Sequence, residues 1–129
     1  MERINLKYND ATKALETLEE ILTHEFSIVV RDATIQRFEY TFEAIWKFLK
    51  EYLKEKEGVI ANTPKAVFRA IFSSGFLTED ETVLCLTMTD RRNDTSHTYK
   101  EAVSELIYED IPDYVHLMKN LLNKFKDKV

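Results

Sequence analysis

Two glycines and two prolines in 129 residues leave little material for tight turns. A sheet-rich chain spends turn residues at every reversal, so this scarcity points to a few long helices joined by short connections. The apolar spacing agrees. Ala11, Ala14, Leu15, Leu18, Ile21 and Leu22 recur at three- and four-residue steps, which predicts a first helix over about 3–24 with one buried face. The β-branched run Phe26-Ser27-Ile28-Val29-Val30 has no partner strand elsewhere in the chain, so it reads as an apolar connection packed on a bundle. Arg31-Asp32 then opens a second helix over about 32–57.

That second helix is the most aromatic stretch. Ile35, Phe38, Phe42, Ile45, Trp46, Leu49 and Leu53 make one stripe, and Tyr40, Ala44 and Phe48 part of another. A helix apolar on two sides is either central in a bundle or in contact with a second subunit. Gly58 is a natural stop. Thr63-Pro64 reads as a cap followed by proline at the first helical position, opening a short helix with Val67, Phe68, Ile71 and Phe72 that ends at Ser73-Ser74-Gly75. Thr78 and Glu81 form a capping box for a helix carrying Val83, Leu84, Leu86 and Met88 to about residue 93. Thr98 and Glu101 repeat the pattern, which predicts a helix from Tyr99, broken or kinked at Pro112 and resumed to about residue 127. The expectation is an all-α chain, an up-and-down four-helix bundle with one short additional helix, as a single domain over 1–129.

Composition narrows the function classes. With 44% hydrophobic residues the chain is not disordered, and a net charge of −5 excludes a global electrostatic grip on nucleic acid while leaving room for a local basic pocket. One cysteine, Cys85, permits no internal disulfide and is expected in the core. No apolar leader and no window near the ~20 apolar residues of a membrane span is present, so a cytoplasmic protein without membrane contact is expected. His24 and His116 stand alone, which gives no metal site, and no phosphate loop or local Ser/His/Asp set implies a cofactor.

The densest chemistry lies in Arg92-Asn93-Asp94-Thr95-Ser96-His97-Thr98-Tyr99, preceded by Arg91. It falls between two predicted helices, where a turn can bring Arg92 and His97 towards one pocket. Arginine offers a two-pronged fork for phosphate, and histidine titrates near neutral pH. Together they suit RNA cleavage without a metal, His97 taking the 2′-hydroxyl proton and Arg92 stabilising charge at phosphorus. They suit nucleotide binding equally well. The bland alternative is an ordinary solvated loop, with Arg92 opposing the helix dipole and Asp94 either orienting His97 or capping the turn. Lys65 and Arg69, one turn apart, either border a phosphate pocket or form a solvated face.

The pattern Arg92-x4-His97-x-Tyr99 resembles the signature of the HEPN superfamily (higher eukaryotes and prokaryotes nucleotide-binding). The stretch Arg37-Phe38-Glu39-Tyr40-Thr41-Phe42-Glu43-Ala44-Ile45-Trp46-Lys47 is similar to a helix of one branch, the nucleotidyltransferase substrate-binding proteins, also called HepT-like toxins. The resemblance covers essentially the whole chain. It implies a four-helix bundle, a homodimer with two signatures facing across a cleft, and a minimal nucleotidyltransferase as partner. It implies two functional accounts. One is a substrate- or nucleotide-binding subunit of a two-component, toxin–antitoxin-type system. The other is a metal-independent ribonuclease toxin silenced when AMP is attached to Tyr99. Arg92 and His97 carry over as the catalytic pair, and Arg91, Arg92, Asn93 and His97 as the residues that hold nucleotide or RNA phosphate. Arg91 offers a competing register, one residue longer. Tyr40, Ala44 and Phe48 are candidates for the contact between subunits.

Overall fold

The computed structural model describes residues 2–129, with side chains from residue 3. Among the described residues there is no strand, and five helices form in chain order: α1 Glu2–Ile21, α2 Ile28–Tyr52, α3 Pro64–Ser73, α4 Glu79–Asp94 and α5 Glu101–Phe125. α3 is the short extra helix, and the four longer ones make the bundle. α2 is central and packs against each of the other four. Of its expected stripe, Ile35, Phe38, Phe42, Ile45 and Leu49 are buried, as is Leu53 just past its end, while Trp46 is half-buried.

Local capping explains most boundaries. Ser27 is extended and accepts the Val30 amide at 3.0 Å, so α2 begins at Ile28, four residues before the expected Asp32. The expected apolar connection is therefore the first turn of α2, and it is not packed away: Phe26, Ile28 and Val29 are all exposed. Arg31, expected to open the helix, is buried instead, with its guanidinium held by Asp32 and by Glu101 of α5. α2 widens into one π-helical turn, Leu53–Glu57, and stops at Gly58, whose φ of 65° suits glycine. Thr63 and Pro64 open α3, and the box formed by Thr78 and Glu81 opens α4 with both reciprocal bonds present.

Three further expectations are corrected. The second box at Thr98 does not form. Glu101 turns to Arg31, Lys100 takes the cap position without a side-chain bond, and α5 starts at Glu101 rather than Tyr99. Pro112 does not break α5, although its missing N–H leaves the Tyr108 carbonyl without a helical donor. Burial of Ile107, Ile111 and Tyr114 on either side holds the helix together. Phe48 lies wholly inside the chain, its ring edge-on to Tyr8 at 5.3 Å and to Phe125 at 5.7 Å. It is thus unavailable to a second subunit. Ala44 packs against the core, and Tyr40 is exposed with its hydroxyl bonded to Thr17.

α4 also presents an unexpected face. Its buried side is Thr82, Cys85, Met88 and Thr89, while Val83 and Leu84 are about half exposed. Cys85 is fully buried, as its type suggested, and burial pushes its thiol up to about 12.

Candidate functional site

The last turn of α4 and the 3₁₀ turn Thr95–His97 that follows carry the signature residues. A helix end leaves carbonyls without donors, and here hydroxyl side chains supply them. Ser96 Oγ donates to the Asn93 carbonyl at 3.1 Å. The Thr95 hydroxyl is shared between the Arg92 carbonyl at 2.6 Å and Glu39 Oε2 at 2.9 Å. Thr95 is buried and anchors the turn to α2.

Adjacent helical residues point about 100° apart, and the two arginines accordingly face different neighbours. Arg91 turns to α5: its Nε donates to Asp110 at 3.2 Å and its Nη1 to Asp94 at 3.1 Å. The Asp110 bond holds the Arg91 guanidinium above its usual value, against the opposing effect of partial burial, with Asp94 assisting. Arg92 turns to α2, where among the described residues the carboxylate within ion-pair distance is Glu43, 3.6 Å away. Asp94 is thus committed to Arg91 and does not orient His97.

Glu39 and Glu43, one helical turn apart on α2, therefore receive the signature through Thr95 and Arg92. Neither stood among the sequence candidates, though both lie in the helix that carries the family resemblance. The available signal was an i,i+4 carboxylate pair flanking Tyr40. With Gln36, Tyr40 and Arg92 they line an open depression of about 310 Å³.

His97 and Tyr99 lie on the exposed side of the turn. His97 Nδ1 is 3.3 Å from the Tyr99 hydroxyl, and the rings meet edge-on at 5.9 Å. Tyr99 is 77% exposed, with the Lys100 ammonium over its ring at 5.9 Å. Asn93 is exposed. Among the described residues Arg92 and His97 share no hydrogen bond, and His97 does not line the depression beside Arg92. One chain thus offers two halves, a guanidinium facing one carboxylate at 3.6 Å and an imidazole beside a phenol. Lys65 pairs with Asp90 at 2.7 Å, which leaves it part of a solvated face. No group of three or more metal-binding side chains occurs among the described residues, and no described helix is long and apolar enough to cross a membrane.

The family described as "Nucleotidyltransferase substrate binding protein like" matches residues 6–127, and the chain belongs to it. The structure of ttk003001694 from Thermus thermophilus is similar at 48% identity and a TM-score of 0.85, covering 90% of this chain and 98% of that one. Two more distant structures share the fold. One is a mutant of the toxin–antitoxin pair MntA-HpeT, at 11% identity, TM-score 0.82, and 98% and 99% coverage. The other is HI0074 from Haemophilus influenzae, described as the fold of a substrate binding domain of a nucleotidyltransferase, at 22% identity, TM-score 0.75, and 92% and 98% coverage. No curated protein matches the chain significantly.

Proposed function

We propose that this chain is the substrate- or nucleotide-binding subunit that works with a separate minimal nucleotidyltransferase in a two-component, toxin–antitoxin-type system. Family membership supplies the class of partner. The observation that carries the site is the clamp on the signature turn: Thr95 fixes it to Glu39, and Glu43 reaches Arg92 at 3.6 Å. A guanidinium with one long carboxylate contact keeps most of its donors for a phosphate. An arriving phosphate would compete with Glu43, which acts as a positioning residue. We read the signature as a member of the HEPN pattern and the working form as a homodimer. The half-exposed Leu84 lies on the same stripe of α4 as Thr87 and Arg91, so a second copy docking there would bring two signature turns close.

The test is co-purification of the chain with its neighbouring nucleotidyltransferase, followed by calorimetric titration with nucleotide. Wild type forms the complex and binds nucleotide. Arg92→Ala keeps the complex and loses the nucleotide bound at the signature turn. Failure of the wild-type pair to associate would end this reading.

A second reading is favoured by one contact, the 3.3 Å approach of His97 Nδ1 to the exposed Tyr99 hydroxyl. In it the dimer is a ribonuclease. His97 takes the proton of a 2′-hydroxyl, that oxygen bonds to the adjacent phosphorus, and the bond from phosphorus to the 5′-oxygen breaks. The 5′-oxygen leaves as a hydroxyl with a proton from water while His97 returns its proton to solvent, giving a 2′,3′-cyclic phosphate with Arg92 stabilising the charge. The partner silences it by joining the Tyr99 phenol oxygen to the α-phosphorus of ATP. Pyrophosphate leaves, the phenol proton passes to a base of the partner, and the attached AMP covers His97. Purified chain with RNA in EDTA discriminates the two. Cleavage lost in Arg92→Ala and His97→Ala supports the ribonuclease, and equal background in all three proteins removes it. Mass gain with ATP and partner, absent in Tyr99→Phe, supports the silencing step.

A further inference from the structure

A second concentration of charge lies away from the signature turn, between α1, the C-terminal half of α2 and the segment 59–62. It surrounds a cleft of about 410 Å³, within the ~300–1,000 Å³ typical of small-ligand sites. Five cations line it: Arg3 and Lys7 from α1, and Lys47, Lys50 and Lys54 from the α2 side. One carboxylate, Glu51, is present, and Arg3 occupies it at 2.5 Å. Among the described residues, Lys7, Lys47, Lys50 and Lys54 have no carboxylate within ion-pair distance, in a chain whose net charge is −5. Other cations of the fold, including Arg31, Arg37, Lys65, Arg91, Lys119 and Lys124, are paired.

Helix-end electrostatics explains part of this. Lys50 and Lys54 lie near the C-terminal end of α2, where cations are favoured. Lys7, in the first half of α1, and Lys47 lie outside that turn. Four like charges converging on one concave surface repel each other unless an anion joins them. The rest of the cleft is not simply ionic. Val59, Ile60 and Ala61 give it an apolar wall, with Ile60 66% exposed. Trp46 adds a half-buried indole, with the Lys50 ammonium 5.9 Å from its ring centre. A flat apolar surface beside unpaired ammonium groups matches a base joined to phosphate.

We propose that this cleft binds a nucleoside phosphate, either free or as one unit of a single-stranded RNA. The base rests against Trp46 and the Ile60 wall, and the phosphate is shared by Lys7, Lys47, Lys50 and Lys54. The site is connected to the signature turn by one residue. Trp46 Nε1 donates to Glu43 Oε2 at 2.5 Å, while Glu43 Oε1 faces Arg92 at 3.6 Å. Movement of the indole on binding therefore reaches the carboxylate that braces Arg92. The cleft stands independently of what the signature turn does.

Trp46 is the only tryptophan in the sequence, so its fluorescence reports occupancy directly. The full chain is titrated at fixed ionic strength with AMP, ATP, a 10-nucleotide uncleavable 2′-O-methyl RNA, inorganic phosphate and vesicles of anionic phospholipid. A change in Trp46 emission with nucleotide or RNA, exceeding that with phosphate alone, is expected. Lys47→Ala/Lys50→Ala should weaken it about tenfold or more, since two of the four ammonium groups that share the phosphate are lost. If RNA is the ligand, the slope of log affinity against log salt becomes shallower by about 1.4, at ~0.7 per phosphate contact. If free nucleotide is the ligand, AMP or ATP binds at least as tightly as the RNA. Arg92→Ala retains binding, which separates this cleft from the signature site. The proposal falls if no nucleotide or RNA alters Trp46, if the double variant binds unchanged, or if only the vesicles bind.

Discussion

The two adjacent arginines give the sharpest separation of scaffold from site, because the structure assigns them different work. Arg91→Ala removes two ion pairs, to Asp110 and Asp94, whose groups are partly exposed. Such pairs contribute about 0.2–1 kcal/mol each, so the loss is roughly 0.5–2 kcal/mol. Unfolding entropy of ~2.1 cal/mol/K per residue over 129 residues gives about 0.3 kcal/mol per degree. Arg91→Ala should therefore melt about 2–7 °C lower, with nucleotide affinity little changed. Arg92→Ala removes one contact at 3.6 Å, worth under ~0.5 kcal/mol, and should melt within about 2 °C of wild type. If Arg92 holds phosphate, its removal costs roughly 1.5–3 kcal/mol of binding, or about 12- to 160-fold in Kd. Differential scanning fluorimetry gives the first quantity. Calorimetry with AMP gives the second, in a Lys47→Ala/Lys50→Ala background so that the cleft beside α1 does not contribute. Loss of nucleotide binding in Arg91→Ala at unchanged Tm, with Arg92→Ala silent, would overturn the assignment and favour the longer register ending at His97.

Three further outcomes follow from packing and charge. Phe48→Ala should cost about 3–5 kcal/mol, the usual range for emptying a buried phenylalanine site, and lower the Tm by roughly 11–18 °C; a stable monomer at near-normal Tm would instead return Phe48 to a subunit interface. Glu81 is held below its ordinary carboxyl value of 4.5, first by the Lys124 ammonium and then by the Thr78 amide. The unfolded chain takes up that proton near 4.5 while the folded chain resists it, so the stabilisation is complete above that pH and is lost as pH falls through the lower folded value. The difference in urea stability between wild type and Glu81→Gln, about 1 kcal/mol at pH 7, should thus shrink towards zero in acid, and a difference constant down to pH 2 would refute the linkage. The buried Cys85 thiol, pushed up to about 12, should resist aromatic disulfide reagents at pH 8 and react at once in denaturant; fast labelling of the folded chain would contradict its burial.

The features legible in the sequence are those whose cause lies within about four residues. Thr78 and Glu81 form the box their spacing announces, Thr63 and Pro64 open α3, and Gly58 stops α2. The same rule fails at Thr98, because Glu101 finds a stronger partner seventy positions away in Arg31. It fails at Pro112, where packing on both sides outweighs one lost bond. It misplaces Phe48, since a second apolar stripe looks the same whether it meets another helix or another chain. The candidate site divides in the same way. Arg92, His97 and Tyr99 were conspicuous as residue types in one short stretch. Glu39 and Glu43 were not, because nothing in a helix's own sequence states which face receives the end of a helix some fifty residues later. The choice between Arg91 and Arg92 shows why. Two neighbouring residues on a helix cannot face the same partner, so the register depends on whether α2 or α5 stands on each side. With α5 taking Arg91 through Asp110, and α2 leaving Arg92 one distant carboxylate, the arginine with donors to spare is the one to which a phosphate can come.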